Sequence, residues 1–213
     1  MYLHKTENIS HNLDELIPLC KPENFHNPFA KEDSYLRVFA NDYCSAEFFN
    51  LQECDYNQQA TPSSVKYIKT IMRGMLAAGR KDDFEFIKAN VERFAIETNE
   101  DNYYLPTGNS SVIKDLESKF GVVRRVRIVR LPAGEHMPWH KDETIDGARV
   151  LLPIITNDKC INKFPDVDVH MPADGRYFSF DSDRVSHAVY NYSEEDRYIM
   201  IFSIKKPLEF YDK

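Results

Sequence analysis

The stretch His187-Ala188-Val189-Tyr190-Asn191-Tyr192-Ser193-Glu194-Glu195-Asp196-Arg197-Tyr198-Ile199-Met200-Ile201-Phe202-Ser203-Ile204 decides the fold. Its two ends are rich in β-branched and aromatic residues, and its middle is a polar turn, Ser193 to Asp196. It reads as a strand over His187–Asn191, a turn, and a strongly apolar strand over Tyr198–Ile204. The turn predicts that the two strands are antiparallel neighbours, with Arg197 at the start of the second. The same texture extends back to Gly121. Val122 to Leu131, Arg149 to Thr156 and Arg176 to Phe180 also read as strands, the last after the turn Pro172-Ala173-Asp174-Gly175. Arg149 to Thr156 is apolar on both faces, which predicts burial on both. Short strands with turns between them at close intervals predict an antiparallel sandwich or barrel.

Upstream the period changes. Thr61-Pro62-Ser63-Ser64 supplies capping residues and a proline for a helix start. Val65, Ile68, Ile71, Met72, Met75 and Leu76 follow as one apolar stripe, and Gly79 is the stop. A second helix is expected from Lys81 to Ile96 and a shorter one from Ser110 to Lys119. Leu13 to Leu19 reads as a short helix, Tyr35 to Phe39 as a strand, and Ala46 to Leu51 fits either. The expected fold is α+β with a mainly β core. A double-stranded β-helix, of the jelly-roll or cupin-like kind, occupies residues 119–213, and a helix-rich part, residues 1–118, packs on it as one compact unit.

Composition narrows the function. The 213 residues carry 27 Lys and Arg against 34 Asp and Glu, a formal charge of −7. That argues against gripping nucleic acid or an anionic membrane, which needs clustered cations. It leaves room for a local basic pocket. No stretch has the roughly 20 apolar residues of a membrane helix, and residues 1–25 show no secretion signal. Cys20, Cys44, Cys54 and Cys160 have no C-x-x-C spacing, so reduced thiols in a cytoplasmic protein are expected.

The chemistry sits in two segments. In Trp139-His140-Lys141-Asp142, a strand would aim His140 and Asp142 at one point, since residues two apart share a face. His-x-Asp alone is common. His187 opens a strand that a barrel can bring alongside, and it supplies a third ligand. Two imidazoles and one carboxylate leave three positions of an octahedral metal open, the facial triad of non-haem Fe(II) oxygenases. Arg197 follows His187 by 10 residues and points towards the same site. A buried arginine needs an anion, and a guanidinium binds a carboxylate bidentately. The co-substrate 2-oxoglutarate offers one end to iron and the other to that cation. Of the remaining candidates, Arg124, Arg125, Arg127 and Arg130 lie on both faces of one strand; one face reaches towards a pocket, while ion-paired or solvated arginines are the commoner case. Trp139 is expected to pack against the barrel, His136 and His170 to stay out of the metal site, and Asn191 to serve either as a turn residue or near the metal strand.

His140-x-Asp142, His187 and Arg197 together resemble the metal and co-substrate signature of Fe(II)/2-oxoglutarate dioxygenases. Leu131-Pro132-Ala133-Gly134-Glu135-His136-Met137-Pro138-Trp139-His140 resembles the aspartyl/asparaginyl β-hydroxylase family, where a Pro/Gly turn leads into the first ligand histidine. That family also has an arginine nine residues later, and Arg149 stands there. The resemblance covers about residues 120–205; none is legible in residues 1–115. It implies Fe(II), 2-oxoglutarate and O2 as cofactor and co-substrates, with His140, Asp142 and His187 on the metal and Arg197 and Arg149 on the co-substrate or substrate. The animal peptide hydroxylases of the family have glycine in place of the acidic ligand. Asp142 therefore sets this chain nearer the branch with bacterial proline 3-hydroxylases. The reaction implied is hydroxylation of an unactivated C–H in a small carboxylate-bearing molecule, such as a free amino acid. The alternatives are peptidyl Asp/Asn β-hydroxylation, a cupin-like metal hydrolase or isomerase, and a β-barrel binding module without catalysis.

Overall fold

The computed structural model describes residues 3–27, 46–108, 110–142 and 147–213. The strand expected at Tyr35–Phe39, and Cys44, lie outside them. Elements run in the order β1 (Leu3–Ser10), β2 (Glu47–Asn50), β3 (Gln52–Cys54), α1 (Pro62–Ala77), α2 (Lys81–Ala89), α3 (Val91–Glu97), β4 (Tyr103–Pro106), α4 (Ser110–Phe120) and β5 (Val123–Leu131). Then come β6 (His136–His140), β7 (Ala148–Ile155), β8 (Cys160–Lys163), β9 (Asp168–Val169), β10 (Arg176–Phe180), β11 (His187–Asn191) and β12 (Arg197–Ile204).

Two sheets make the core. Six strands pair in the order β1-β10-β7-β12-β5-β2, and four in the order β6-β11-β8-β9, all antiparallel. This is a double-stranded β-helix. The expected hairpin is absent: β11 pairs with β6 and β8, whereas β12 pairs with β5 and β7. The polar turn therefore carries the chain from one sheet to the other. Asn191, fully buried, knits that crossing. Its Nδ2 donates to Leu131 O, Pro132 O and Glu195 O, and its Oδ1 accepts from the Ser193 N–H and hydroxyl. Asn191 is thus a turn residue.

The middle of the larger sheet is buried on both faces, which accounts for the unbroken apolar run of β7. On β12, Met200, Phe202 and Ile204 pack outward with Phe120, Leu116 and Tyr177, while Ile199 packs inward with Phe48, Val129 and Phe180. Burying a side chain of this size contributes roughly 1.5–3 kcal/mol. Residues 1–118 are not simply helices laid on a barrel. β1 and β2 form the two edges of the larger sheet, because the polar β1 has its backbone donors satisfied by β10 and by Asp212, which accepts the N–H groups of Glu7, Asn8 and Ile9. Leu13–Glu15 and Ile17–Leu19 are two separate 3-10 turns.

The helical segment α1–α3 has its own small core of Ile68, Met75, Ile87, Phe94 and Ala95. Thr61 caps α1: its Oγ1 accepts the Ser64 N–H at 3.1 Å, and Ser64 Oγ accepts the Thr61 N–H at 3.1 Å. The single helix expected over Lys81–Ile96 is broken at Asn90, whose Nδ2 takes the Phe86 carbonyl at 2.8 Å and whose backbone leaves the helical region. An asparagine side chain competes for helix carbonyls, and here it wins. Gly79 ends α1 at φ +74°, open to glycine at no steric cost. Among the described residues no helix is long and apolar enough to cross a membrane, and Cys20, Cys54 and Cys160 are free thiols.

Candidate metal centre

β6 and β11 are antiparallel with His140 directly opposite His187. The register brings the two imidazoles together, with centroids 4.2 Å apart. In each, Nδ1 faces a carbonyl two residues earlier, Pro138 O at 2.7 Å and Val185 O at 3.1 Å. A neutral imidazole that donates from Nδ1 has its Nε2 lone pair free for a metal. Burial, reinforced by the neighbouring His140, pulls the His187 pKa below its ordinary value despite Asp142, which favours that neutral form.

Asp142 reaches the site by another route than expected. β6 ends at His140, so strand alternation does not aim the carboxylate. Instead Asp142 N–H donates to Ser182 O at 2.9 Å, and this tie folds the chain back. Asp142 Oδ1 then lies 3.8 Å from His140 Nε2. Burial pushes the Asp142 carboxyl up, but the Arg149 guanidinium and the two imidazoles outweigh it and hold it at about 2. One donor atom from each of His140, Asp142 and His187 lies within 4.8 Å of the others, and they are the one such group among the described residues. Two neutral nitrogens and an ionised carboxylate suit a divalent first-row metal with open positions.

The triad opens on a cavity between the sheets, walled by Phe48, Val129, Met137, Leu151, Phe180 and Ile199. Three guanidinium groups also line it: Arg127, Arg149 and Arg197. Arg149 is buried on β7, its Nε 4.0 Å from Asp142 Oδ2. Arg197 is 3% exposed. Its one hydrogen bond runs from Nη2 to Asn162 Oδ1 at 3.1 Å, and its buried Nε has no partner. It has no ion pair among the described residues, and burial pulls its pKa down to about 10.

Arg130 instead pairs with Glu47 and Asp196, Arg125 lies under Tyr103 and Arg124 over Tyr104. Of the four arginines on that strand, Arg127 alone lines the cavity, with its guanidinium 4.3 Å from the Phe48 ring centroid. Trp139 does not pack against the barrel; it is 50% exposed, because β6 is an edge strand of its sheet. His136 stacks on Tyr190 and His170 bonds Cys160 O, so neither joins the triad. Asn162 was invisible to sequence reasoning: an asparagine in a four-residue strand carries no pattern.

No curated protein matches the sequence. Among solved structures, a Pseudomonas putida prolyl-4-hydroxylase is similar at 14% identity, with 96% of this chain and 92% of that chain covered and a TM-score of 0.47. A cupin domain from Bordetella pertussis Tohama I is similar at 24% identity over 39% of this chain and 81% of that one, TM-score 0.32. A viral collagen prolyl hydroxylase from Paramecium bursaria Chlorella virus-1 is similar at 13% identity over 45% and 63%, TM-score 0.32. At these scores nothing about activity follows from them. The sequence profile of aspartyl/asparaginyl beta-hydroxylase matches residues 84–207. That match begins in α2, well upstream of the 120–205 stretch in which motifs are legible. It spans more than half of the chain, including the triad, Arg149 and Arg197, and the chain belongs to the aspartyl/asparaginyl β-hydroxylase family.

Proposed function

We propose that this hydroxylase-family chain is an Fe(II)- and 2-oxoglutarate-dependent dioxygenase. Its proposed substrate is a small carboxylate-bearing molecule such as a free amino acid, in the branch with bacterial proline 3-hydroxylases. The observation that carries the reading is Arg197: a buried cation with no anionic partner among the described residues, in the same cavity as a two-histidine, one-carboxylate cluster. An uncompensated buried charge costs several kcal/mol, so the site fits an anion brought from outside.

When bound, iron and 2-oxoglutarate would activate O2, one oxygen atom going into the new C–OH and the other into succinate as CO2 leaves. The chain's own part is binding and orientation. His140 and His187 offer Nε2, held in that tautomer by their carbonyl partners, and Asp142 offers an ionised oxygen. Arg197 takes the distal carboxylate of the co-substrate. Arg149, beside Asp142, takes a carboxylate nearer the metal. The apolar walls keep water from the reacting carbon. No side chain has to carry a proton.

Anaerobic Fe(II) with 2-oxoglutarate is expected to give a weak visible charge-transfer band, lost in His187→Ala. No band in the wild type, or an undiminished band in the variant, defeats the reading. Succinate release that depends on 2-oxoglutarate separates it from metal-dependent hydrolysis or isomerisation. A screen of free amino acids against short peptides, read by that release, tests the substrate class.

A further inference from the structure

Arg197 enters the cavity from β12, and Asn162 meets it from β8 in the facing sheet. Both side chains are buried. Asn162 Oδ1 accepts from Arg197 Nη2, while Asn162 Nδ2 donates to Val169 O at 3.3 Å. The second bond fixes the amide's orientation: its oxygen faces the guanidinium. An amide oxygen directs a guanidinium without neutralising it. A carboxylate in the same place would direct it and cancel its charge as well.

We propose that Asn162 is a positioning residue that aims Arg197 into the cavity and leaves its whole charge for the distal carboxylate of a dicarboxylate co-substrate. This rests on the reading of Arg197 given above. The neutrality of Asn162 is then the functional property, more than its hydrogen bond. Asn162→Asp keeps the shape, loses the donor to Val169 O, and supplies Arg197 with an internal counter-ion. Asn162→Ala removes both hydrogen bonds and adds no charge.

The two variants therefore rank in opposite order on two readouts. Full-length protein loaded with Fe(II) without oxygen is titrated with 2-oxoglutarate by calorimetry, and melting temperatures are measured alongside. Asn162→Asp is expected to weaken 2-oxoglutarate binding by at least about 100-fold, and Asn162→Ala by only about tenfold. Both variants lose the bond to Val169 O, and melting temperature is expected to fall further in Asn162→Ala, which alone leaves the guanidinium without its partner. A purely structural asparagine would rank the variants alike on both readouts, and that result overturns the assignment. So does Asn162→Asp binding 2-oxoglutarate as the wild type does. A wild type that does not bind 2-oxoglutarate defeats the reading of the whole pocket, and with it this assignment, before any variant is made.

Discussion

Arg130 and Arg197 stand on neighbouring strands of the larger sheet, one register step apart, and face opposite sides of it. On the outer side Arg130 meets two carboxylates, Glu47 and Asp196. Burial alone would lower its pKa, but these partners more than reverse that and hold it above the ordinary arginine value. On the inner side Arg197 is more deeply buried and meets one neutral amide. The same residue type in the same sheet is thus neutralised where the chain needs structure and left charged where the cavity is. The difference shows which face the protein reserves for something it does not itself contain.

The largest effect expected is on that contrast. Arg197→Leu should weaken 2-oxoglutarate binding at least about 100-fold while the melting temperature stays level or rises, since a buried unpaired charge is removed. Arg130→Leu should leave that binding unchanged and cost roughly 1–2 kcal/mol of stability, as expected of two partly buried ion contacts. Calorimetry and thermal unfolding of both variants read the two quantities. If both variants lost stability alike and neither lost affinity, the contrast between the faces would be broken.

The crossing between the sheets gives the next effect. Asn191→Ala removes the side-chain donor from Leu131 O, Pro132 O and Glu195 O and the acceptor of the Ser193 N–H, all near the turn that delivers Arg197, while Ser193 Oγ keeps its bond to Glu195 O. A cost of about 2–3 kcal/mol is expected, a fall of roughly 5–10 °C in melting temperature. A change below 1 °C would show that the turn holds without it.

The smallest effect concerns pH on the outer face. His11 is buried there, 3.0 Å from Asp115 Oδ2 and 3.1 Å from Tyr177 OH. Burial lowers its pKa below 6.5, with Asp115 opposing. The unfolded chain then protonates first. Stability is unaffected above pH 6.5, falls as the pH drops through that value, and levels off below the folded pKa. His11→Asn should flatten this acid-side slope in denaturant titrations; an unchanged slope would assign it to other groups.

Much of this was legible in the chain. The β-branched and aromatic residues of β5, β7, β10, β11 and β12 and the Thr61 cap are local signals, and the structure follows them. The chemistry was readable because His140, Asp142, His187 and Arg197 stand in a recognisable order and spacing on strand-like segments. Pairing was less legible, because it is set by long-range packing. β11 and β12 look like a hairpin, yet each finds its partners in a different sheet. The edge strand β1, LHKTENIS, has no alternating apolar face to announce it; its pairing is fixed by β10 and Asp212. Asp142 arrives through a loop bond to Ser182 O, and Asn162 has meaning only beside Arg197.

The strand order β1-β10-β7-β12-β5-β2 has a further consequence, in time. No two consecutive strands are neighbours in that sheet, and β12, which the ribosome makes last of the twelve, belongs near its middle. Until it emerges, β5 and β7 each present a bare edge, the kind of template that recruits other chains. Topologies so dominated by distant pairings fold slowly. The nascent protein therefore carries an unpaired sheet edge from the completion of β5 until β12 is made, and the strand that ends this exposure is the one that brings Arg197.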